Sequence, residues 1–310
     1  MQYRLLGQTG IQVSILSFGA SSLGGVFHDV EREACIKTVH TALDLGMNLI
    51  DVSPYYGLTK AETMLGTALK GVDRGRYILA TKVGRYGLNQ FDFSARRVTA
   101  SVDESLARIG CGHIDIIQCH DIEFVPLDII INETLPALEK LRQSGKVRFL
   151  GITGLPLPMF TTVAKQAKID TILSYCRYTL FDQSLVKIIP DLNARGVGIM
   201  SAAPVSMGLL TNRGAPDWHP APELIRTTCA KVAEFCRNQG ADIAQLAISF
   251  AVAERRIATT IVGTGDPANV RRNVAWALAP VDEKLLAEVR KILKPIHNQS
   301  WPSGLPENND

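Results

Sequence analysis

The chain has 310 residues, 46% hydrophobic and 20% charged, with 33 Lys and Arg against 30 Asp and Glu for a net charge of +3. These are the proportions of a soluble globular protein, and a mild basic excess without a Lys/Arg block gives no reason to expect nucleic acid or an anionic membrane as partner. Six scattered cysteines with no C-x-x-C pair, and six histidines without ligand spacing, argue against a metal site and for reduced thiols in a cytoplasmic protein.

The opening MQYRLLGQTG lacks a charged region followed by an apolar core, so no secretory leader is expected, and no apolar run is long enough to span a bilayer. YRLLGQTGIQVS (3–14) reads as a hairpin turning near Gln8 to Gly10. Eight short apolar runs follow: ILSFGAS (15–21), NLIDVS (48–53), YILATKVG (77–84), IDIIQCH (114–120), VRFLGITG (147–154), TILSYC (171–176), GVGIMSAAP (196–204) and TTIVGTG (259–265). Each is nearly continuous in apolar character, as parallel strands covered on both faces are. Between them the period becomes helical. Val98, Val102, Leu106 and Ile109 draw one stripe, and Ile131, Leu135, Leu138 and Leu141 another. Gly46, Gly145 and Gly196 stand where helices should stop before the next strand.

Eight strand–helix units in this length predict an α/β fold, a (β/α)8 TIM barrel forming a single domain over 1–310. A doubly wound sheet is the alternative, but no G-x-G-x-x-G follows the first strand. PELIRTTCAKVAEFCRNQG (222–240) is predicted as a helix inserted before ADIAQLAISFAVAERR (241–256), and VDEKLLAEVRKIL (281–293) as a terminal helix. The tail HNQSWPSG (297–304) is either a lid over the barrel mouth or a disordered end, and Trp301 favours burial.

Barrel chemistry sits at the C-terminal ends of the strands. There the second run ends at Asp51 with Tyr56 just beyond, the third at Lys82 and the fourth at His120. Each has a structural explanation alone: a cap, a packed loop ring, a surface charge, a core histidine. Together they place three ionisable groups at one level of adjacent strands. A carboxylate in an apolar strand is costly unless paired, and Lys82 is the nearest cation on offer for Asp51. Tyrosine titrates at about pH 10, so acting as a base near neutrality needs its phenolate favoured by about 4 kcal/mol. One ammonium at roughly 4 Å, with an effective dielectric of about 20, supplies about that much. Lys82 is thus expected to acidify Tyr56, Asp51 to aim Lys82, and neutral His120 to orient the reacting oxygen.

With these residues the chain resembles the aldo-keto reductase family over almost its whole length. That family's Asp–Tyr–Lys–His tetrad falls on Asp51, Tyr56, Lys82 and His120, and LSFGAS, GITG and VGTGDPANVRRNVAWA match its first-strand end and cofactor loops. Within the family, FGASSLGGVFHDV, DVSPYYG, CHDIEF, LPALEKLRQSGKVRFLGITGLPL, SYCRYTLFDQSL, PDWHPA and WPSG resemble the plant L-galactose dehydrogenase branch. The resemblance implies NAD-linked oxidation of an aldose at its anomeric carbon to a lactone, with Tyr56 as base.

It also implies cofactor contacts from Gly19, Ser22, Thr153, Gly154, Tyr175, Ser201, Pro204, Ser206, Gly208, Leu209, Gly263, Thr264, Gly265, Asp266, Asn269 and Asn273. The chain departs from many relatives where Thr153-Gly154 replaces Ser-Asn after the fifth strand, where Ala202 replaces an aromatic ring after the seventh, and where Tyr175 or Ser174 replaces Gln in the sixth. Asp266 is expected to repel a 2′-phosphate and to accept from a ribose hydroxyl, which favours NAD; Arg271 and Arg272 are read as exposed helix charges. Ser22, Asp121, Arg177, Asp182 and Trp218 are candidates for the sugar hydroxyls. The alternatives are an NADPH-dependent aldehyde reductase of broad scope and a nicotinamide-sensing regulatory subunit. Oligomeric state is not legible.

Overall fold

A computed structural model describes residues 1–25 and 31–310. The end of the FGASSLGGVFHDV segment, 26–30, lies outside the described residues. An antiparallel hairpin pairs β1 (Tyr3–Leu5) with β2 (Gln12–Ser14). The eight predicted runs become β3 (Leu16–Gly19), β4 (Leu49–Asp51), β5 (Ile78–Val83), β8 (Ile114–Cys119), β9 (Val147–Gly154), β10 (Thr171–Tyr175), β11 (Gly198–Ala202) and β12 (Thr259–Gly263). They close in that order into one parallel barrel, β12 pairing back onto β3. A small hairpin absent from the sequence-based expectation, β6 (Arg85–Gly87) with β7 (Gln90–Phe91), stands above β5.

Around the barrel lie α1 (Arg32–Asp44), α2 (Lys60–Leu69), α3 (Ala95–Ile109), α4 (Leu127–Ile129), α5 (Leu135–Gln143), α6 (Pro158–Gln166), α7 (Ile189–Ala194), α8 (Glu223–Asn238), α9 (Ile243–Ala253), α10 (Pro267–Leu278) and α11 (Glu283–Leu293). A π-helical turn, Ile130–Thr134, joins α4 to α5 just before Pro136. Proline lacks an N–H and crowds the carbonyl four residues back, so the helix widens there. Gly46, Gly145 and Gly196 hold φ of +84°, +79° and +76°, the left-handed geometry that ends a helix before a strand.

Strand parity divides the core. Leu49, Ala80, Ile116, Leu173, Met200 and Ile261 fill the barrel interior together with Leu6, Ile11 and Val13 of the hairpin, which plugs its N-terminal end. The alternate residues, Ile50, Leu79, Ile117, Ile172 and Ile199 among them, pack outward under the helices. The C-terminal rim is left open, and a cleft of about 930 Å³ occupies it, near the upper end of the range of about 300–1,000 Å³ common for ligand sites.

Candidate active site

The stretch DVSPYYG builds the floor of the cleft one residue at a time. Asp51 ends β4, and its Oδ2 takes Lys82 Nζ at 2.6 Å while Oδ1 accepts from Gln118 Nε2 at 2.9 Å. The Val52 carbonyl accepts from the same ammonium at 2.9 Å. Lys82 Nζ also donates to Tyr56 Oη at 3.2 Å and stands 4.7 Å from the ring centroid. Ser53 Oγ receives the Tyr55 N–H at 3.1 Å and lies 2.9 Å from His120 Nδ1. Gly57, at φ +60°, lets the loop settle on the turn Ala20–Gly24: a Cβ there would meet Gly24 O at 2.1 Å. Tyr56 is thereby held edge-on to His120, with centroids 5.5 Å apart.

The Lys82 side chain is 1% exposed and that of Asp51 5%. Burial lowers the lysine's proton affinity, but the pull of Asp51 and Tyr56 outweighs it and leaves the amine above its usual range. Tyr56 does not follow the sequence-based arithmetic. Burial pushes its phenol up to about 12; Lys82 pulls it down, and Asp51 and Asp121 push it further up. The arithmetic from sequence counts one ammonium and omits the desolvation of the ring oxygen.

His120 matches the expectation of a neutral imidazole. Burial pushes it down to about 3, with Lys82 and Arg85 acting in the same sense and Asp121 against them. Asp121 Oδ2, which can only accept, stands 3.6 Å from Nε2. That favours the proton on Nε2 and leaves Nδ1 to accept from the Ser53 hydroxyl. The arrangement can therefore offer one oxygen two donors, a phenol and a neutral imidazole N–H, backed by an ammonium fixed at a carboxylate.

From the tetrad the cleft runs past Gly19, Ser22, Thr153, Tyr175, Pro204, Gly208, Gly263 and Thr264 to Asn269 and Asn273, all of them expected contacts. The wall is close-set: a Cβ at Gly263 would meet Gly19 O at 3.0 Å and Ser21 Oγ at 3.2 Å. The loop after β11 carries Ala203, Ser206 and Met207 in the left-handed region, a concentration of backbone strain characteristic of ligand sites. This groove, with the start of α10 at one end and the tetrad at the other, fits an extended dinucleotide.

Other expected contacts lie elsewhere. Ser201 alternates with Met200 and so faces the helices, while its neighbour Ala202 lines the cleft. Gly154 backs onto Met159 and Glu123 instead of the cleft. Ser206 and Leu209 are buried behind the loop, and the Ser206 carbonyl accepts from His219 Nε2 at 3.1 Å. The Gly265 carbonyl accepts from Thr38 Oγ1 at 3.0 Å. Asp266 caps α10, its Oδ1 taking the Ala268 N–H at 2.8 Å, so that oxygen already has a backbone partner. Arg272 lines the cleft beside Asn269, its guanidinium 5.3 Å from the Trp276 ring centroid; Arg271 does not line it.

Of the sugar candidates, Asp121 and Trp218 line the cleft with Ser22. Arg177 and Asp182 do not. Arg177 Nε is 3.2 Å from Asp182 Oδ2, its Nη2 pairs with Asp310, and Ser184 joins the cluster. Arg177 and Asp182 are buried against each other beneath the exposed Asp310, which is why they never reach the rim. The tail does form a cover: Trp301 is buried, residues 301–304 line the cleft, and Leu305 N and Asn308 Nδ2 donate to the Glu123 carbonyl at 2.8 and 3.0 Å. Arg85, Ser53 and Gln118 are not among the residues expected from sequence. The alternation in RYGLNQF around a Gly-Leu-Asn turn is the available signal for the hairpin that carries Arg85. Among the described residues no His/Cys/Asp/Glu cluster could hold a metal ion, and no helix is long and apolar enough to cross a membrane.

Comparison with known proteins agrees with this geometry. The chain is 48% identical to an L-galactose dehydrogenase of Arabidopsis thaliana across 99% of both proteins. It is 28% identical to a D-threo-aldose 1-dehydrogenase of a Pseudomonas species, over 90% of this chain and 94% of that protein. An aldo-keto reductase from Bacillus halodurans, solved in its holo form, superposes with a TM-score of 0.80 at 26% identity and full coverage of both chains. Residues 15–294 match the profile of the aldo/keto reductase family, and the chain belongs to that family.

Proposed function

We propose that this protein oxidises the C1 hydroxyl of an aldose, L-galactose foremost, to the aldonolactone, with NAD as the acceptor. The observation that carries the reading is the Lys82 ammonium bridging Asp51 and Tyr56 at 2.6 and 3.2 Å, with neutral His120 beside the ring. The named activities of the Arabidopsis and Pseudomonas relatives support a sugar substrate.

A nicotinamide dinucleotide in the groove supplies the hydride acceptor. The protein's part is acid–base and orientational. The C1 hydroxyl oxygen accepts from His120 Nε2–H and gives its proton to Tyr56 Oη as the phenolate. Lys82 stabilises that phenolate, and Asp51 keeps Lys82 charged. Trp301 and the tail over the cleft keep bulk water from the reacting carbon. The six free cysteines fit a reducing, cytoplasmic setting.

The preference for NAD rests on the Asp266 carboxylate at the start of α10, which caps that helix through the Ala268 N–H outside the cleft lining and would act on a 2′-phosphate through its charge alone. A second reading, NADP-linked reduction of aldehydes, is favoured by Arg272 in the cleft wall. The regulatory-subunit reading has no observation in its favour, since all four catalytic groups are in register. An assay of NAD and NADP reduction against L- and D-aldoses decides. A higher kcat/KM with NAD and an L-aldose supports the proposal; NADP preference, or turnover only with simple aldehydes, sinks it.

A further inference from the structure

Asp121 follows His120 and sits in the left-handed region, φ 51° and ψ 61°. Its N–H is taken by Thr153 Oγ1 at 3.0 Å. The carboxylate is buried at the cleft wall, where Oδ2 receives Arg85 Nη1 at 2.5 Å and lies 3.6 Å from His120 Nε2. Oδ1 accepts no hydrogen bond from the described residues. Arg85 is itself fixed: its guanidinium carbon is 4.0 Å from the Tyr55 ring centroid and 5.2 and 5.3 Å from those of Phe91 and Phe124, which stack on each other at 4.6 Å. Burial disfavours the charge on Asp121, and with His120 neutral it is the Arg85 guanidinium on Oδ2 that holds the carboxyl below its usual range.

A salt bridge alone explains Oδ2 but not a carboxylate oxygen left free at the wall of a cleft. Oδ1 is open to the cleft and is not among the buried polar atoms without a partner, so it is placed to accept from a donor that arrives with the ligand. Its place identifies that donor. If the oxidised hydroxyl takes the Nε2–H of His120, the hydroxyl on the neighbouring sugar carbon, about one hydrogen-bond length away, falls beside the carboxylate that stands next to the same nitrogen.

We propose that Asp121, held by Arg85, accepts the hydrogen bond of the hydroxyl vicinal to the one oxidised, so that the enzyme requires a 2-hydroxyaldose and rejects 2-deoxy sugars. The inference rests on the aldose-oxidising reading above. Asp121 is a specificity-determining contact, and Arg85 a positioning residue that acts through it. A hydrogen bond to a charged acceptor corresponds to a discrimination of about tenfold to a hundredfold.

The test compares kcat/KM for L-galactose and 2-deoxy-L-galactose in the wild type, in Asp121→Asn and in Arg85→Ala. Asparagine tolerates the left-handed backbone, and the ratio of the two sugars cancels any general damage to the site. The wild type is expected to prefer L-galactose by about tenfold or more, and both variants to bring the ratio within about threefold of unity. Equal use of the two sugars by the wild type, or an unchanged ratio in Asp121→Asn, overturns the inference while leaving aldose oxidation intact. No turnover with any aldose overturns that reading and this inference with it.

Discussion

Replacing Asp51 by Asn removes one charge with almost no change of shape. The hydrogen bonds can be rebuilt. The carboxamide oxygen of the variant can still face Lys82, and its amide can donate to Gln118 Oε1, which is buried without a partner, once Gln118 turns over. What remains is the lost charge opposite a buried ammonium 2.6 Å away. The bare Coulomb energy at that distance, for an effective dielectric of about 20, is ~6 kcal/mol. Part of it is offset by the desolvation the carboxylate no longer suffers, and breaking buried pairs costs roughly 3–5 kcal/mol. A chain of 310 residues unfolds with an entropy of roughly 0.65 kcal/mol/K, so Tm should fall by about 5–8 °C. Turnover should fall with it, because a neutral Lys82 no longer pulls on Tyr56. Calorimetry and the sugar oxidation assay on one preparation read both effects. A Tm within about 1 °C of wild type, with turnover intact, refutes the claim that this pair organises the site.

Gly57→Ala should cut kcat by roughly a hundredfold, since a displacement of Tyr56 near 1 Å is enough for that and a Cβ would stand 2.1 Å from Gly24 O; steady-state kinetics check it. Glu123 is buried and pushed up to about 8, by desolvation first and Asp121 second. The folded state then keeps a proton that the unfolded chain loses above its ordinary value of 4.5, so this group's contribution to stability falls as pH rises from 4.5 through 8. Glu123→Gln should remove that fall, worth a few kcal/mol, and melting curves that run parallel to wild type across the window would count against it. Aldose oxidation should speed up from about pH 6 to about pH 9 as Tyr56 phenolate grows, with no inflection at the usual histidine value near 6.5, because His120 is pushed down to about 3. A plateau from pH 7 upward would contradict the raised phenol.

The barrel was legible because strands buried on two faces must be apolar throughout, and eight such runs separated by helical stripes admit few closures. The tetrad was legible because Asp51, Lys82 and His120 are strand-end polar groups where apolar residues would be expected. Orientation was not. Ser201 and Ala202 differ by one step along β11, and only the register decides which faces the cleft. Arg177 and Asp182 read as free polar groups in sequence, yet each is the other's partner beneath Asp310, more than a hundred residues away. Arg85 reaches the site through a hairpin whose position depends on Phe91 and Phe124 meeting across the rim. The acidity of Tyr56 depends on desolvation, a property of the closed cleft that no short stretch carries.

The central claim is that Tyr56, tied to Lys82 at 3.2 Å, carries the proton in aldose oxidation. Stopped-flow NAD reduction with L-galactose, comparing wild type with Tyr56→Phe at matched cofactor occupancy, tests it most directly. The account predicts that the phenylalanine variant binds NAD about as well as wild type and loses about 10²–10⁴-fold in the hydride-transfer step. Hydride transfer at the wild-type rate in Tyr56→Phe would contradict it.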